Sequence, residues 1–243
     1  MGDEAATDYR AAWQRKPVLR AIYQDYYRRI LAHCQPQGRT LEIGGGSGNL
    51  KSFLPDAIST DIAAAPWLDA VADAQALPFA DCSFGNIVMV DVLHHLAYPK
   101  RFLAEAQRVL RPGGRLVLIE PGITPLSRVF FHLFHPEPVR MQAEPLSDTP
   151  QCDPGNPWDS NQAIPTLLFR RDARKLAATM PGLRLLRADW LSLFAYPLSG
   201  GFKAWSLLPG FAAAPLLRLE DRLMPALGPL MAFRLLTVLE RTQ

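Results

Sequence analysis

Five short apolar runs between residues 38 and 120 restrict the fold more than any other feature of this chain. RTLEI, AIST ending at Asp61, DAVADA, NIVMVD and RLVLIE follow one another with little polar interruption. Between the last two, PKRFLAEAQRVL has the 3.6-residue rhythm of a helix, which RPGG stops. Nearly continuous apolar strands alternating with helices belong to a parallel sheet covered on both faces. Residues 8 to about 34 read as helix, interrupted near Pro17, with Leu19, Ile22, Tyr26, Ile30 and Cys34 at helical spacing. A helix in RRDARKLAATM and strands in LRLLRADWLSLF and FRLLTVLER close the chain, making seven strands.

Glycine gathers where the first strand ends, in TLEIGGGSGNL (residues 40–50). Glycine this dense costs backbone entropy, so it serves a tight turn or the close approach of a ligand. Counted as a dinucleotide fingerprint, the stretch fails: Gly44 and Gly46 fit, but Asn49 stands at the third glycine position. The spacing Glu42-x-Gly44-x-Gly46-x-Gly48 suits a ligand without a pyrophosphate to seat on a helix N-terminus.

Four further stretches follow in order: Asp61 at the end of the second strand, DAQALPFADCSFGNIVMV (73–90), VLHHL (92–96) and VLRPGGRLVLIE (109–120). Together they resemble the class I S-adenosylmethionine (SAM) dependent methyltransferases, in particular the subgroup rich in small-molecule enzymes (type 11 like). The resemblance is close over 38–120 and holds in outline elsewhere. It implies an α/β, Rossmann-like, seven-stranded, mostly parallel sheet with helices on both faces and an antiparallel last strand. One domain spans 1–243, with an N-terminal helical cap (1–37), a SAM-binding core (38–120) and substrate-covering insertions (121–165 and 197–230). Gly85 departs from the family, which usually has Asp there, and a local adjustment is expected.

By resemblance, Gly44, Gly46 and Gly48 back the methionine and ribose portions of SAM, and Glu42 faces its cationic amino-acid end. Asp61 accepts from the ribose hydroxyls. Asp73 and the backbone of Ala74 meet the adenine amino group, between Ile62 and Leu77, and Asp91 lies beside the cofactor. Asp61 as a helix N-cap and Glu42 as a strand terminator are the bland alternatives.

Residues past the fourth and fifth strands face the transferable methyl in this fold: Asp91, Val92, Leu93, His94, His95 and Glu120. His94 is the expected general base, with His95 as runner-up and Glu120 or Asp91 as orienting acid. One histidine capping the following helix is the competing reading. No metal is expected, because Pro121 stands where a third oxygen ligand would be convenient beside Asp91 and Glu120. Phe130, His132, His135 and Trp158, with Phe131, Asn161 and Gln162, are the candidate acceptor contacts from the first insertion. The expected reaction moves a methyl from SAM, leaving S-adenosylhomocysteine, to a hydroxyl of a natural product, aromatic metabolite or lipid-linked sugar. Carbon methylation of a quinone or lipid, and a non-catalytic SAM-binding regulator, are the alternatives.

Composition narrows the partners. A net charge of +3 over 243 residues, without a lysine-rich run, disfavours nucleic acid. The three cysteines form no CxxC pair, so neither a zinc site nor a disulfide framework is indicated. The longest uncharged stretch, 204–217, is broken by Pro209 and Pro215 and is shorter than the ~20 residues of a spanning helix. The N-terminus lacks an apolar signal segment. A cytoplasmic monomer or homodimer is expected. Residues 197–230 serve as an extra packed layer, a dimer contact or a peripheral membrane contact, and their prolines argue against a long amphipathic helix.

Overall fold

The computed structural model of the chain describes residues 2–242, with side chains from Tyr9. Two helices open it, α1 (Gly2–Arg15) and α2 (Pro17–His33), separated at Lys16. Pro17 takes the first position of α2, where its missing N–H costs nothing. The strands are β1 (Thr40–Ile43), β2 (Ile58–Asp61), β3 (Ala70–Val71), β4 (Phe84–Val90), β5 (Leu110–Pro121), β6 (Leu183–Leu191) and β7 (Arg234–Arg241). They form one sheet in the order β3-β2-β1-β4-β5-β7-β6. β7 runs antiparallel to both neighbours, and the pairings from β3 to β5 are parallel. The expected fold class holds.

Each central strand buries both faces. On β5, Leu116 and Leu118 enter one core with α3 (Pro99–Val109) and α6 (Ala173–Thr179), while Val117 and Ile119 enter another with α2 and α8 (Gly210–Met231). That two-sided burial explains the continuous apolar runs in the sequence. A short α5 (Ile164–Thr166) leads through a π turn (Leu167–Arg171) towards α6. The crossovers on the β3 side are thin: a single 3₁₀ turn (Leu50–Ser52) follows the glycine loop, and turns alone join β2 to β3 and β3 to β4.

Three local outcomes differ from the sequence reading or complete it. Segment 121–165 contains a real helix, α4 (Pro125–Phe134), closed at its start by a reciprocal Thr124–Ser127 capping box. The second insertion forms α7 (Ala195–Ser199) and then the 22-residue α8 despite three internal prolines. Pro215, Pro225 and Pro229 are all exposed, so the carbonyls they leave unpaired face water. At Gly85 a Cβ would lie 2.4 Å from the Gln37 carbonyl oxygen, so the departure from Asp reflects the close passage of the segment after α2.

Candidate active site

The strand order reverses between β1 and β4, and ligands in open α/β sheets bind beyond the carboxyl ends of the strands at such a point. A cavity of about 1240 Å³ opens there. Its floor is the glycine loop. Gly44, at φ +74°, packs so tightly under β4 that a Cβ would collide with Val92. At Gly46, by contrast, a Cβ would find only the Gly44 carbonyl within 4 Å, and the loop lines the cavity there. Gly48 does not line it. Its φ of +74° and the Trp67 ring, 2.6 Å from where a Cβ would sit, make it a packing glycine, which corrects the expected cofactor contact.

Glu42, Asp61, Ile62, Asp73, Ala74 and Asp91 all line the cavity. Asp61 is not a helix cap, since no helix follows it. Its carboxylate accepts from the backbone N–H of Gly46 (2.9 Å) and of Ala63 (3.1 Å), so it holds the glycine loop and keeps further lone pairs for a ligand. Asp73 accepts from Gln75 at Oδ1 only. Leu77 belongs to the buried core and does not face an adenine. Glu42 is buried and accepts from the Ser59 hydroxyl. Burial lifts its pKa from 4.5 to about 7, against the lowering effect of that hydroxyl. A buried carboxyl of this kind gains its charge when a cation is set beside it.

The chemistry-bearing groups sit at the ends of β4 and β5. Glu120 accepts from the N–H of Val92 and of Leu93 (2.8 Å each) and, at Oε2, from His94 Nδ1 (2.7 Å). Thus Glu120 holds the LHH turn and is hydrogen-bonded to His94, without itself lining the cavity. Asp91 is differently engaged. It holds a positive φ of 59°, pairs with Arg234 and accepts from Tyr23 Oη (3.2 Å).

The other side of His94 meets Glu137, with Nε2 3.4 Å from Oε2. Burial pushes the His94 pKa down, but its hydrogen bonds to Glu120 and Glu137 outweigh that and raise it from 6.5 to about 9. Glu137 is driven down to about 2, burial being outweighed by the His94 cation. His94 is therefore a buried cation between two carboxylates. His95 is the opposite case: burial and the neighbouring His94 charge both lower its pKa. Its Nδ1 donates to the Asp159 carbonyl (3.1 Å), which leaves Nε2 as the basic nitrogen of a neutral ring. One ring nitrogen from each histidine and one Glu137 oxygen lie within 4.8 Å of one another. In the arrangement seen, both nitrogens of His94 are already used by carboxylates.

The first insertion supplies the cavity's far wall. Phe130, His135, Glu137 and Trp158 line it. His132 is exposed on the outer side of α4, away from the cavity, because the helix turns its neighbour Phe131 inward. Asn161 does not line the cavity: its buried side chain accepts from the N–H of Arg140 and of Ala163 and donates to the Arg140 carbonyl. Its backbone N–H donates to the His94 carbonyl (2.8 Å), which clamps the insertion onto the LHH turn. Glu137 was not foreseen; the only hint was a lone carboxylate in HPEP, after sixteen residues (121–136) without an acid.

Residues 41–118 match the family model of the methyltransferase domain. Among solved structures, a SAM-dependent methyltransferase from Archaeoglobus fulgidus shares the fold with a TM-score of 0.54 at 13% identity, over 90% of this chain and 93% of that one. Among curated proteins, phthiotriol/phenolphthiotriol dimycocerosates methyltransferase 1 of Mycobacterium ulcerans is 39% identical over 110 residues, 37% of this chain and 41% of its own length. Demethylmenaquinone methyltransferase of Renibacterium salmoninarum is 34% identical over 112 residues, 39% of this chain and 47% of its own. The chain spans less than two thirds of the curated relatives it matches. Over residues 41–118 the chain is thus similar to the methyltransferase domain, and its fold is that of the class I SAM-dependent methyltransferases. SAM is the cofactor of such methyltransferases, and the cavity lining fits it: the Asp61 carboxylate could take ribose hydroxyls, the open backbone at Gly46 could pass under the ligand, and the buried Glu42 could face an ammonium.

Proposed function

We propose that this protein transfers the methyl group of SAM to a hydroxyl oxygen of a small-molecule acceptor, with His95 as general base. Glu42, Gly44, Gly46, Asp61, Asp73 and Ala74 would hold the cofactor, which supplies a methyl already activated on a sulfonium. The chain must then align the acceptor and remove its proton. The observation that carries the reading is the His95 geometry: a neutral imidazole on the cavity wall, fixed through Nδ1, with Nε2 left to accept a proton. The oxygen–methyl bond forms as the carbon–sulfur bond breaks, and the hydroxyl proton passes to His95 Nε2. Burial and the adjacent His94 charge oppose protonation of His95, and the His94 ring packs against it with centroids 4.2 Å apart, so His94 is a positioning residue in this scheme and not the base.

A second reading is carbon methylation of a phenol or quinol. It is favoured by the relatives, which include demethylmenaquinone methyltransferase and a ubiquinone/menaquinone C-methyltransferase from Geotalea daltonii. The same base would serve by ionising the phenol. Incubation with methyl-labelled SAM and a panel of phenols, quinols and hydroxylated lipids tests both, since the label's carbon shift separates an O-methyl from a C-methyl product. A product formed equally well by His95→Ala would remove the base assignment. Absence of SAM binding by the folded chain would remove the function.

A further inference from the structure

Helix α4 buries only Ser127 (0% exposed) and Phe131, and leaves more apolar surface outside than in: Leu126, Val129, Leu133 (64%) and Phe134 (62%) are exposed beside Arg128 and His132. A surface helix normally buries its apolar stripe and exposes its polar one. Across the cavity mouth the second insertion repeats the pattern: Leu207 is 74% exposed and Phe211 86%. The two segments meet where Lys203 Nζ donates to the Phe134 carbonyl (3.3 Å). Phe134, Leu198, Trp205 and Leu207 belong both to this rim and to the cavity lining, so the apolar surface runs continuously from outside into the site.

Charge distinguishes the rim from an ordinary sticky patch. Neither 121–136 nor 197–219 contains an acidic residue, while Arg128, Lys203 and Arg218 are all exposed. No helix among the described residues is long and apolar enough to cross a membrane. Apolar side chains flanked by cations, without anions, suit an interfacial contact with anionic lipid, where burial and surface potential add. We propose that this rim docks on an anionic bilayer surface, and that the acceptor is a membrane-borne amphiphile whose polar head reaches His95 while its apolar part stays in the lipid. The part about the acceptor rests on the methyltransferase reading; the docking does not.

Sedimentation of the full chain with phosphatidylcholine vesicles, with and without phosphatidylserine, separates these claims. Wild-type protein is expected to bind the anionic vesicles at least tenfold more tightly than the neutral ones, with a blue shift of tryptophan emission as Trp205 leaves water. The double variant Leu133→Ser/Phe211→Ser is expected to lose at least tenfold in vesicle binding, and Arg128→Glu/Arg218→Glu to lose most of the preference for anionic lipid. SAM affinity and melting temperature should remain unchanged in both. No vesicle binding by wild-type protein would overturn the proposal. So would a concentration-dependent dimer that the double variant abolishes, because a second copy would then be what covers the rim. Vesicle binding without SAM binding would leave the docking standing and sink the enzymatic reading.

Discussion

His94 and His95 are adjacent in sequence, with ring centroids 4.2 Å apart, yet their surroundings give them opposite charge states at neutral pH. Four predictions belong at this scale. His95→Ala should lower kcat by about 10²–10⁴-fold, the usual contribution of a positioned base, with SAM affinity unchanged in calorimetry. Since the His95 pKa is lowered, kcat/KM should be flat around neutrality and fall only below about pH 6.5; His94→Asn, which removes the adjacent cation, should move that limb upward. For His94 the folded pKa of about 9 exceeds its unfolded value. Its stabilising contribution is therefore complete below about pH 6.5 and lost as pH rises through about 9. Wild-type Tm should thus fall over that interval by about 2–4 °C per kcal/mol lost, while His94→Asn should show a flatter profile. Asp61→Ala, which removes the proposed ribose acceptor and releases the Gly46 N–H, should weaken SAM binding by about 1.5–3 kcal/mol, or roughly ten- to a hundredfold. An unchanged Kd would move the ribose site elsewhere.

At the scale of elements, the two insertions reach the site by different means. The first is clamped directly on the LHH turn by the Asn161 N–H and carries Glu137 to His94. The second depends on Lys16, at the break between α1 and α2. Its ammonium donates to the carbonyls of Ser199 (2.8 Å), Gly201 (2.6 Å), Lys203 (2.7 Å) and Trp205 (2.9 Å). Those carbonyls belong to the loop that forms one lip of the cavity. Lys16→Met keeps the aliphatic stem and leaves these carbonyls without their shared donor, so the loop should loosen. The expected result is a several-fold rise in acceptor KM with little change in SAM Kd. Equal loss of both would mean that Lys16 supports the whole cavity.

For the molecule as a whole, a cavity seated between the sheet and both insertions couples ligand binding to global stability. SAM at a hundredfold excess over its Kd should stabilise the chain by about 2.7 kcal/mol, read as a rise in Tm. The sequence by itself determined the sheet and its floor. Continuous apolar strands require burial on two faces, and the run of glycines after β1 requires a tight turn, so fold class and strand count were legible without coordinates, while Glu42, Asp61 and Asp73 were singled out by resemblance. These depend on local pattern, which one stretch of chain carries. The division of labour between His94 and His95 was not legible, because it depends on Glu137 and on the Asp159 carbonyl, which lie 43 and 64 residues away in sequence. Gly48 and His132 misled for the same reason. Their residue types suited the site, but Trp67 behind the glycine and the outward turn of α4 placed them elsewhere. Local backbone preference writes itself into adjacent residues; protonation state and the direction of a helix face are set by partners that only the tertiary structure brings together.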